Sequence, residues 1–532
     1  MSNFILKKVF VITLLNLCWY AGFSQTALQK GWFNIKDFGA KGDGKFVDSK
    51  AINDAINTAT LAGGGTVYFP AGTYLSYSVR LKSHISLYLD QGSTLLAAEP
   101  GAEGAYDSVE PGANNKFQDF GHSHWHNSLI WGENLENISI LGPGTIYGQG
   151  LSRGFYAEDH WEKKGVDPGH LMKEGSANKA IALKLCRNVI LKDFTVLNGG
   201  HFGILATGVS NLTIDNLKMD TNRDGIDVDC CSNVRISNCS INSPYDDAIC
   251  LKSSFALGYA KATENVTITN CQVSGYDLGT FHNGTYQRKQ WNQVPDQEGP
   301  TGRIKFGTES NGGFKGITIS NCVFEYCRGL ALETVDGGLL EDVTITNIVM
   351  RDVTNSPFFL RLAARMRGPQ GVPIGKFRRI MISDVIAYNA DAHFSTIISG
   401  IPNNDIEDLQ FNNIRIYYRQ IDSPLTVIQT VVPEHEKTYP EPQKMGVMPS
   451  YGFFIRHVKN IAMNNVEVSY MGKETRPAFV IDDVKGIELR NVKCQPVASA
   501  PLYRLKNSRN VLVRDGKGIK DKTSELVANE SW

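Results

Sequence analysis

The chain has 532 residues, with 54 Lys plus Arg and 54 Asp plus Glu, so its formal net charge is zero. This balance excludes the excess positive charge that attracts nucleic acid or an anionic membrane surface, and we expect neither as a partner. Apolar residues at 42% and charged residues at 20% exclude a disordered or collagen-like chain.

The first 24 residues have the pattern of a secretory signal peptide. Two lysines precede an apolar stretch, 9–21, that is too short to cross a bilayer as a helix. The small residues Gly22 and Ser24 then occupy the positions that a signal peptidase reads, so we expect cleavage before Gln25. The sequence therefore predicts an exported protein, periplasmic or secreted, whose residues 25–532 form one domain and act as a monomer.

Residues 48–62 follow the helical period. Asp48 is the expected N-cap, and the glycines at 63–65 end the helix. Five apolar residues share one face: Ala51, Ile52, Ala55, Ile56 and Ala59. We expect this short helix to cap the open N-terminal end of the fold.

A short motif recurs along most of the remaining chain: a polar residue, an aliphatic residue, a few alternating residues, then Asn or Asp. Its aliphatic markers Val189, Leu212 and Val234 lie 23 and 22 residues apart. The alternation within each unit has period two, which is typical of strands. Units of 22 to 26 residues predict an all-β fold, a right-handed parallel β-helix in which each coil pairs with the next.

Asn and Cys occupy fixed phases of this repeat. Asn tolerates the left-handed backbone of tight turns and can hydrogen-bond along the stack. Cys239, Cys271 and Cys322 share another phase, which favours buried thiols over disulfides or a metal site.

Three aspartates fall on one turn of two successive units. Residues one repeat apart lie above one another, about 4.8 Å apart at the backbone. One register matches Asp224 to Asp246, and the other matches it to Asp247. By the same spacing, His201 would extend this column by one coil.

Three carboxylates held this close repel one another, which raises at least one pKa. One carboxyl can then stay protonated as an acid while another stays ionised and activates water. Hydrolysis of a glycosidic bond requires this division of roles. A calcium site and solvated turn aspartates are the alternatives.

The segments 222–227, Asn-Arg-Asp-Gly-Ile-Asp, and 245–247, Tyr-Asp-Asp, resemble glycoside hydrolase family 28, the polygalacturonases. The segment 33–44 and its partner 64–74 are similar to the N-terminal part of the wider pectate-lyase-like β-helix superfamily.

This resemblance implies an inverting hydrolase of a poly- or oligosaccharide that needs no cofactor or metal. It implies that Asp246 is the general acid, and that Asp224 and Asp247 orient and activate water. The expected substrate-binding residues are His201, Asn222, Arg223, Asp227, Lys252, Glu309, Arg328 and Glu333.

The sequence departs from the family pattern at three places. Arg223 replaces a Thr, and Thr301 stands where the family has His. The segment 331–333, Ala-Leu-Glu, stands where the family has Arg-Ile-Lys, whose cations grip a galacturonate carboxylate. The letters Arg-Ile-Lys occur at 303–305, one coil too early, either as a relocated clamp or as an ordinary basic strand.

This replacement shapes the expected specificity. We expect Glu333, in one column with Asp229 and Lys252, to bind the hydroxyls of a neutral sugar. A pectin-type glycan other than plain homogalacturonan, such as a rhamnogalacturonan, is then the expected substrate.

Three long insertions, 99–127, 147–178 and 275–313, should wall the cleft. The last carries Tyr276, Phe281, His282, Tyr286 and Trp291, which could stack on sugars or simply pack the loop. His122, His124 and His126 alternate, but no acidic ligand beside them suggests a metal site.

Two other functions remain open. A polysaccharide lyase or epimerase on the same fold would need a strong base, for which Lys252 is the candidate. A carbohydrate-binding solenoid would need no catalytic group.

Overall fold

A computed structural model describes residues 31–110, 117, 122–152, 174–288, 300–421 and 427–532. The expected signal peptide lies outside this part of the chain. No helix in the described part is long and apolar enough to cross a membrane.

Strands dominate the described residues. The first group is β1 (Trp32–Asn34), β2 (Asp43–Val47), β3 (Gly65–Phe69), β4 (Gly72–Ser76), β5 (Val79–Arg80), β6 (Ile85–Leu89), β7 (Ser93–Ala97), β8 (Ile130–Glu133), β9 (Glu136–Leu141) and β10 (Thr145–Tyr147). The second group is β11 (Lys179–Lys184), β12 (Arg187–Lys192), β13 (Thr195–Leu197), β14 (Phe202–Thr207), β15 (Ser210–Asp215), β16 (Lys218–Asp220), β17 (Asp224–Asp229), β18 (Ser232–Ser237), β19 (Ser240–Asn242), β20 (Ile249–Ser253), β21 (Thr263–Thr269) and β22 (Gln272–Ser274). The third group is β23 (Ile304–Ser310), β24 (Phe314–Glu325), β25 (Leu330–Thr334), β26 (Leu339–Arg351), β27 (Phe358–Leu362), β28 (Lys376–Ala390), β29 (Thr396–Ser399), β30 (Ile406–Tyr418), β31 (Phe453–Tyr470), β32 (Phe479–Arg490), β33 (Lys493–Cys494), β34 (Tyr503–Arg514) and β35 (Lys522–Ser531). The described helices are a 3-10 turn (Ile35–Phe38), α1 (Ser49–Leu61) and α2 (Pro442–Met445).

The strands form three parallel ladders that run the length of the molecule. Strands β14, β15 and β16 of one coil pair in parallel with β17, β18 and β19 of the next. From β24 onward two strands of a coil merge, because β24 pairs with both β21 and β22. The expected right-handed parallel β-helix is confirmed.

The aliphatic markers of the repeat form one inward-facing stack. Val189 pairs with Leu212, Leu212 with Val234 and Val234 with Val266, and each is 1% exposed. Burial of each such side chain stabilises the fold by about 1.5–3 kcal/mol.

An asparagine ladder lies at the turn beside this stack. Asn137, Asn188, Asn211, Asn233 and Asn265 have φ values of 55 to 57°. Each of the last four donates its side-chain Nδ2 to the Oδ1 of the one before, at 2.9 to 3.3 Å. The turn role expected for Asn is confirmed.

The cap helix α1 spans Ser49–Leu61, with its five apolar residues buried as expected. Asp48 is the N-cap residue, as expected, but its side chain makes no cap hydrogen bond. Its carboxylate instead accepts hydrogen bonds from the backbone of Lys41 (2.7 Å) and Gly42 (3.1 Å), so it fixes the loop before β2.

The cysteines of the described chain carry free, buried thiols, as the repeat phase of three of them suggested. Cys239, Cys271 and Cys322 lie in successive coils, where the backbone N–H groups that follow Cys271 and Cys322 donate to the carbonyls of Cys239 and Cys271.

Between β30 and β31 the chain leaves the coil. The residues 427–450, here called the covering segment, run back over the ladder of β25, β27 and β29. The apolar cluster beneath them comprises Ala331, Phe359, Ile397, Val432, Met445, Met448 and Phe454. This segment forms part of the candidate site.

Candidate active site

The three aspartates converge at the start of two neighbouring strands. Ile226 pairs with Ile249, and the N–H of Gly225 donates to the carbonyl of Asp247 at 2.9 Å. Asp224 is therefore level with Asp247, the second of the two expected registers. One oxygen each of Asp224, Asp246 and Asp247 lies within 4.8 Å of the other two.

His201 is one residue out of the expected column. Phe202, not His201, pairs with Asp224, because this coil advances by 22 residues rather than 23. His201 is therefore level with Arg223, is 1% exposed and packs with its ring centroid 4.5 Å from that of Phe202. It lies beside the site but presents almost no surface to a substrate.

Arg303 and Lys305 lie against the aspartates. The Arg303 Nε donates to Asp247 Oδ1 at 2.8 Å, and Lys305 Nζ is 3.7 Å from Asp247 Oδ2. The segment occupies the coil after Asp246, as expected, but its side chains point into the site. A relocated cationic pair therefore fits the structure better than an ordinary basic strand.

Glu333 does not reach the cleft, so its expected role as a sugar ligand is wrong. Its side chain is fully buried, and Lys305 Nζ lies 3.6 Å from it. Burial raises the pKa of Glu333 to about 7. The column aligns as expected: Asp229 pairs with Lys252, and the residues just before Lys252 and Glu333 both pair with Phe306. This ladder is covered by the covering segment, whose Glu434 carbonyl accepts a hydrogen bond from Arg361.

Asp227 is also inaccessible, and its expected contact with substrate is wrong for the same reason. Its carboxylate is fully buried, 3.7 Å from Lys252 Nζ and 3.6 Å from His122 Nε2. Burial raises its pKa to about 8. Asp227 therefore interacts with Lys252 and not with a bound sugar.

Lys252 is the central cation of the site. Its Nζ lies 3.7 Å from Asp224 and 3.5 Å from Glu309. Although burial opposes the charge, the carboxylates of Asp227 and Asp224 raise its pKa well above 10.5. With only 7% of the side chain exposed, Lys252 holds the carboxylates in place rather than contacting a sugar directly.

Arg223 controls the charge of Asp246. Its Nη2 donates to Asp246 Oδ2. Burial opposes ionisation, but the charges of Arg223, Lys252 and Lys305 outweigh it and lower the pKa of Asp246. The neighbouring Asn222 is nearly buried, and its Oδ1 accepts no hydrogen bond from the described residues.

Asp224 has the opposite environment. Burial, together with the charges of Asp227 and Asp246, raises its pKa well above the ordinary value. Asp246 is the most accessible of the three, with 17% of its side chain exposed, against 5% for Asp224 and 4% for Asp247. The pKa values of Asp224 and Asp246 are therefore shifted in opposite directions, as the separate roles of acid–base chemistry need.

Glu309 and Arg328 are held by ion pairs. Glu309 pairs with Lys252 and Arg367, and these charges hold its pKa well below 4.5 against the effect of burial. Arg328 Nη1 is 2.9 Å from Glu441 Oε2. Neither side chain is more than 5% exposed.

The sequence missed several site residues: His122, Arg365, Arg367, Tyr439 and Glu441. Of the alternating histidines, His122 reaches Asp227 whereas His126 Nε2 binds Glu133 at 2.9 Å, so they do not share one face. Their alternation was a weak signal for His122. Tyr439 and Glu441 belong to the covering segment, which has no repeat pattern that could have placed them.

Within the part of the chain that the structure describes, two residue triads have metal-ligand spacing: His122 with Asp224 and Asp227, and the three aspartates of the site. Lys252 Nζ already lies 3.7 Å from both Asp224 and Asp227. Arg223 and Arg303 neutralise the other two aspartates. Since side-chain cations supply the charge that an ion would bring, the residues do not favour a calcium site.

The insertion after β22 packs through its own aromatic residues. The Tyr276 ring centroid is 5.3 Å from that of Tyr286 and 6.2 Å from that of Tyr326, and Arg288 lies over Tyr276 and Tyr326. This contact set favours loop packing over sugar stacking for Tyr276. Trp291 and much of the insertion 147–178 lie outside the described residues.

Two known protein families match parts of this sequence. The family described as rhamnogalacturonase A/epimerase, pectate lyase-like, matches residues 32–145. The glycosyl hydrolases family 28 matches residues 105–294, which include all three aspartates.

Two curated proteins illustrate the sequence similarity. A probable polygalacturonase of Vitis vinifera is 27% identical over 383 residues, 67% of this chain and 74% of that protein. An exo-poly-alpha-D-galacturonosidase of Dickeya chrysanthemi is 26% identical over 259 residues, 42% of each chain.

Two solved structures share the fold. The family 28 exopolygalacturonase of Yersinia enterocolitica has a TM-score of 0.63 at 21% identity, covering 87% of this chain and 78% of that one. The exopolygalacturonase of Thermotoga maritima has a TM-score of 0.56 at 16% identity, covering 94% and 95%. The resemblance to glycoside hydrolase family 28 is therefore confirmed, and the matched region, residues 105–294, contains the aspartate cluster.

Proposed function

We propose that the protein is an exported hydrolase of glycosidic bonds in a pectin-type poly- or oligosaccharide. The observation that carries this proposal is the cluster of Asp224, Asp246 and Asp247, in which each carboxyl has its own charge environment. The names of its relatives, which include polygalacturonases and a rhamnogalacturonase family, support a pectic substrate.

The accessibility of the three aspartates supports their roles. Asp246, the most exposed, is the proposed donor of the proton to the leaving oxygen. Asp247, ion-paired with Arg303, and Asp224 beside it orient and activate the water. Arg223 must loosen its hold on Asp246 before that carboxyl can carry a proton. Asp224, whose pKa is raised, is the alternative proton donor.

The proposed stereochemistry is inversion, which rests on the resemblance to glycoside hydrolase family 28. The spacing argues the other way, because oxygens of the three carboxyls approach within 4.8 Å. Inverting enzymes usually separate the two carboxyls by about 6.5–9.5 Å. Proton NMR of the first-formed anomer decides between the two, and a retained anomer would exclude inversion.

A lyase mechanism is less well supported. It needs an uncharged basic group, whereas Lys252 is held in its charged form by the carboxylates around it. Unsaturated products from any pectic substrate would revive this alternative.

The proposal is tested by incubating the purified wild type and Asp246→Asn with a panel of pectic glycans. We expect hydrolysis by the wild type and a loss of about 10²-fold or more in the variant, because a general acid contributes about that factor. Asp54→Asn, a change on the surface of α1, is the matched control and should keep full activity. Equal activity of Asp246→Asn and the wild type would remove Asp246 from the mechanism, whereas glycan binding without cleavage would favour a binding solenoid.

A further inference from the structure

Two arginines from successive coils converge on one carboxylate of the covering segment. Arg303 Nη2 lies 2.7 Å from Glu441 Oε1, and Arg328 Nη1 lies 2.9 Å from Glu441 Oε2. Each carboxylate oxygen thus has its own guanidinium in this two-arginine cradle. Each of these contacts is a charge-assisted hydrogen bond between a guanidinium N–H and a carboxylate oxygen, which is stronger than a neutral hydrogen bond.

Glu441 lies on the solvent side of this cradle. The side chains of Arg303 and Arg328 are each 3% exposed, whereas that of Glu441 is 15% exposed. Glu441 is therefore the most exposed of the three side chains. We expect its removal to make both guanidinium groups more accessible from the cleft.

The cradle adjoins the reaction centre. Arg303 uses its Nε for Asp247 and its Nη2 for Glu441, so a single planar group joins the two carboxylates. On the other side of Asp247, Lys305 donates to the Tyr439 hydroxyl at 3.2 Å, a second contact from the covering segment. A carboxylate bound by Arg303 is therefore separated from Asp247 by the Arg303 guanidinium group alone.

Hydrogen bonds and apolar contacts fix the covering segment to the β-helix, so it does not have the loose contacts of a mobile lid. Arg456 Nη1 donates to the Val432 carbonyl at 2.7 Å, and the N–H of Ala364 donates to the Glu436 carbonyl at 2.7 Å. Arg361 Nη2 donates to the carbonyl of His435 at 3.3 Å. These bonds and the apolar cluster beneath the segment fix Glu441 over the arginines.

We propose that Glu441 determines the substrate specificity of this site. It fills, from within the chain, the place where the carboxylate of a uronate would bind Arg303 and Arg328. The sugar bound at this place is therefore one without a carboxylate, since a uronate would be repelled by Glu441 and find both guanidinium groups already paired. This inference rests on the proposed function, because it takes the aspartate cluster to be the active site of a glycan hydrolase.

The test measures binding of two monosaccharides, galacturonic acid and galactose, by calorimetry, so it requires no catalysis. Glu441→Ala should bind galacturonic acid at least tenfold more tightly than the wild type does, and the gain should weaken with added salt. Its affinity for galactose should stay unchanged. Glu441→Gln, which keeps the side-chain volume and removes the charge, should give a gain in the same direction if the alanine variant folds poorly.

Glu436→Ala is the matched control, because it removes a carboxylate from the same segment while the pairs of Glu441 with Arg303 and Arg328 remain. It should bind galacturonic acid as weakly as the wild type. A wild type that binds galacturonic acid as tightly as the Glu441 variants would overturn the proposal. So would Glu441 variants that gain no affinity.

Hydrolysis assays separate this inference from the proposed function. Suppose that the wild type cleaves one pectic glycan of the panel. The ratio of kcat/KM on homogalacturonan to kcat/KM on that glycan should then be at least tenfold higher in Glu441→Ala than in the wild type. If no glycan is cleaved by any variant, the proposed hydrolase activity fails, while the binding measurements still decide the role of Glu441.

Discussion

Arg223 sets the charge that Asp246 carries in the free protein. The family usually places a short Thr at this position, whereas the guanidinium here donates to Asp246 and lowers its pKa. A general acid with a lowered pKa is protonated only at lower pH, so its activity is lost as the pH rises through that pKa. This chain therefore pairs its proposed acid with a residue that opposes the acid role.

Arg223→Thr should shift the alkaline limb of the pH profile of kcat/KM upward by about one unit, since loss of a paired cation raises a carboxyl pKa by about 1–3 units. The maximal rate should fall little, because Asp246 itself is retained. Arg187→Thr, which breaks an exposed pair with Glu136, is the control and should leave the limb in place. An unmoved limb in Arg223→Thr would assign the proton to Asp224 instead.

The sequence predicted correctly which aspartates meet in the acid cluster, but it did not predict whether the side chains beside them face the cleft. Asp224, Asp246 and Asp247 meet because the repeat fixes which residues stack. Glu333 failed as a sugar ligand because stacking fixes the column but does not determine what covers it.

At the scale of the structural element, the asparagine ladder keeps successive turns in register. Each of its residues has a left-handed backbone and bonds to the next coil through its side chain. Local sequence predicted this element fully, because both features depend on one residue type at one phase of the repeat.

Asn211→Ala should reduce the free energy of unfolding by about 2–5 kcal/mol. The left-handed backbone costs an alanine about 1–2 kcal/mol, and the two lost ladder bonds contribute about 0.5–1.5 kcal/mol each. Asn211→Gly should cost less, because glycine adopts the same φ of 55° without strain. Urea unfolding of both variants measures the difference, and equal losses would contradict the backbone explanation.

At the scale of the whole molecule, the two ends of the β-helix are closed differently. The helix α1 covers the N-terminal coils, packing its buried face on β1 and β3. At the other end, β35 pairs antiparallel with β34, so the last coil presents no open parallel edge. Both devices protect a strand edge that would otherwise pair with a second chain.

Deletion of residues 516–532 should make the protein associate. It removes β35 and leaves the outer edge of β34 unpaired, while β34 stays paired with β32 on its other edge. It also exposes the core surface that the fully buried Val527 covers. Light scattering during mild heating should show aggregation at a lower temperature than for the intact chain. Leu526→Asp, a change at a side chain that is 71% exposed, is the control and should behave as the wild type does. A truncated protein that stays monomeric would show that β35 is not needed to protect the edge.

The sequence by itself determined the features that repeat. The strand period, the stacked markers, the Asn turns and the meeting of the three aspartates follow from spacing, because each coil constrains only its neighbours. Only the tertiary structure decided the features that break the repeat: the arrival of His122, the inward direction of Arg303, and the return of the covering segment with Glu441. The contacts of His122 with Asp227 and of Arg303 with Glu441 join residues more than a hundred positions apart, and no local period encodes them. The fold is therefore determined by the short-range sequence repeat. The charge of the site depends instead on long-range contacts made by segments outside the repeat, such as the covering segment.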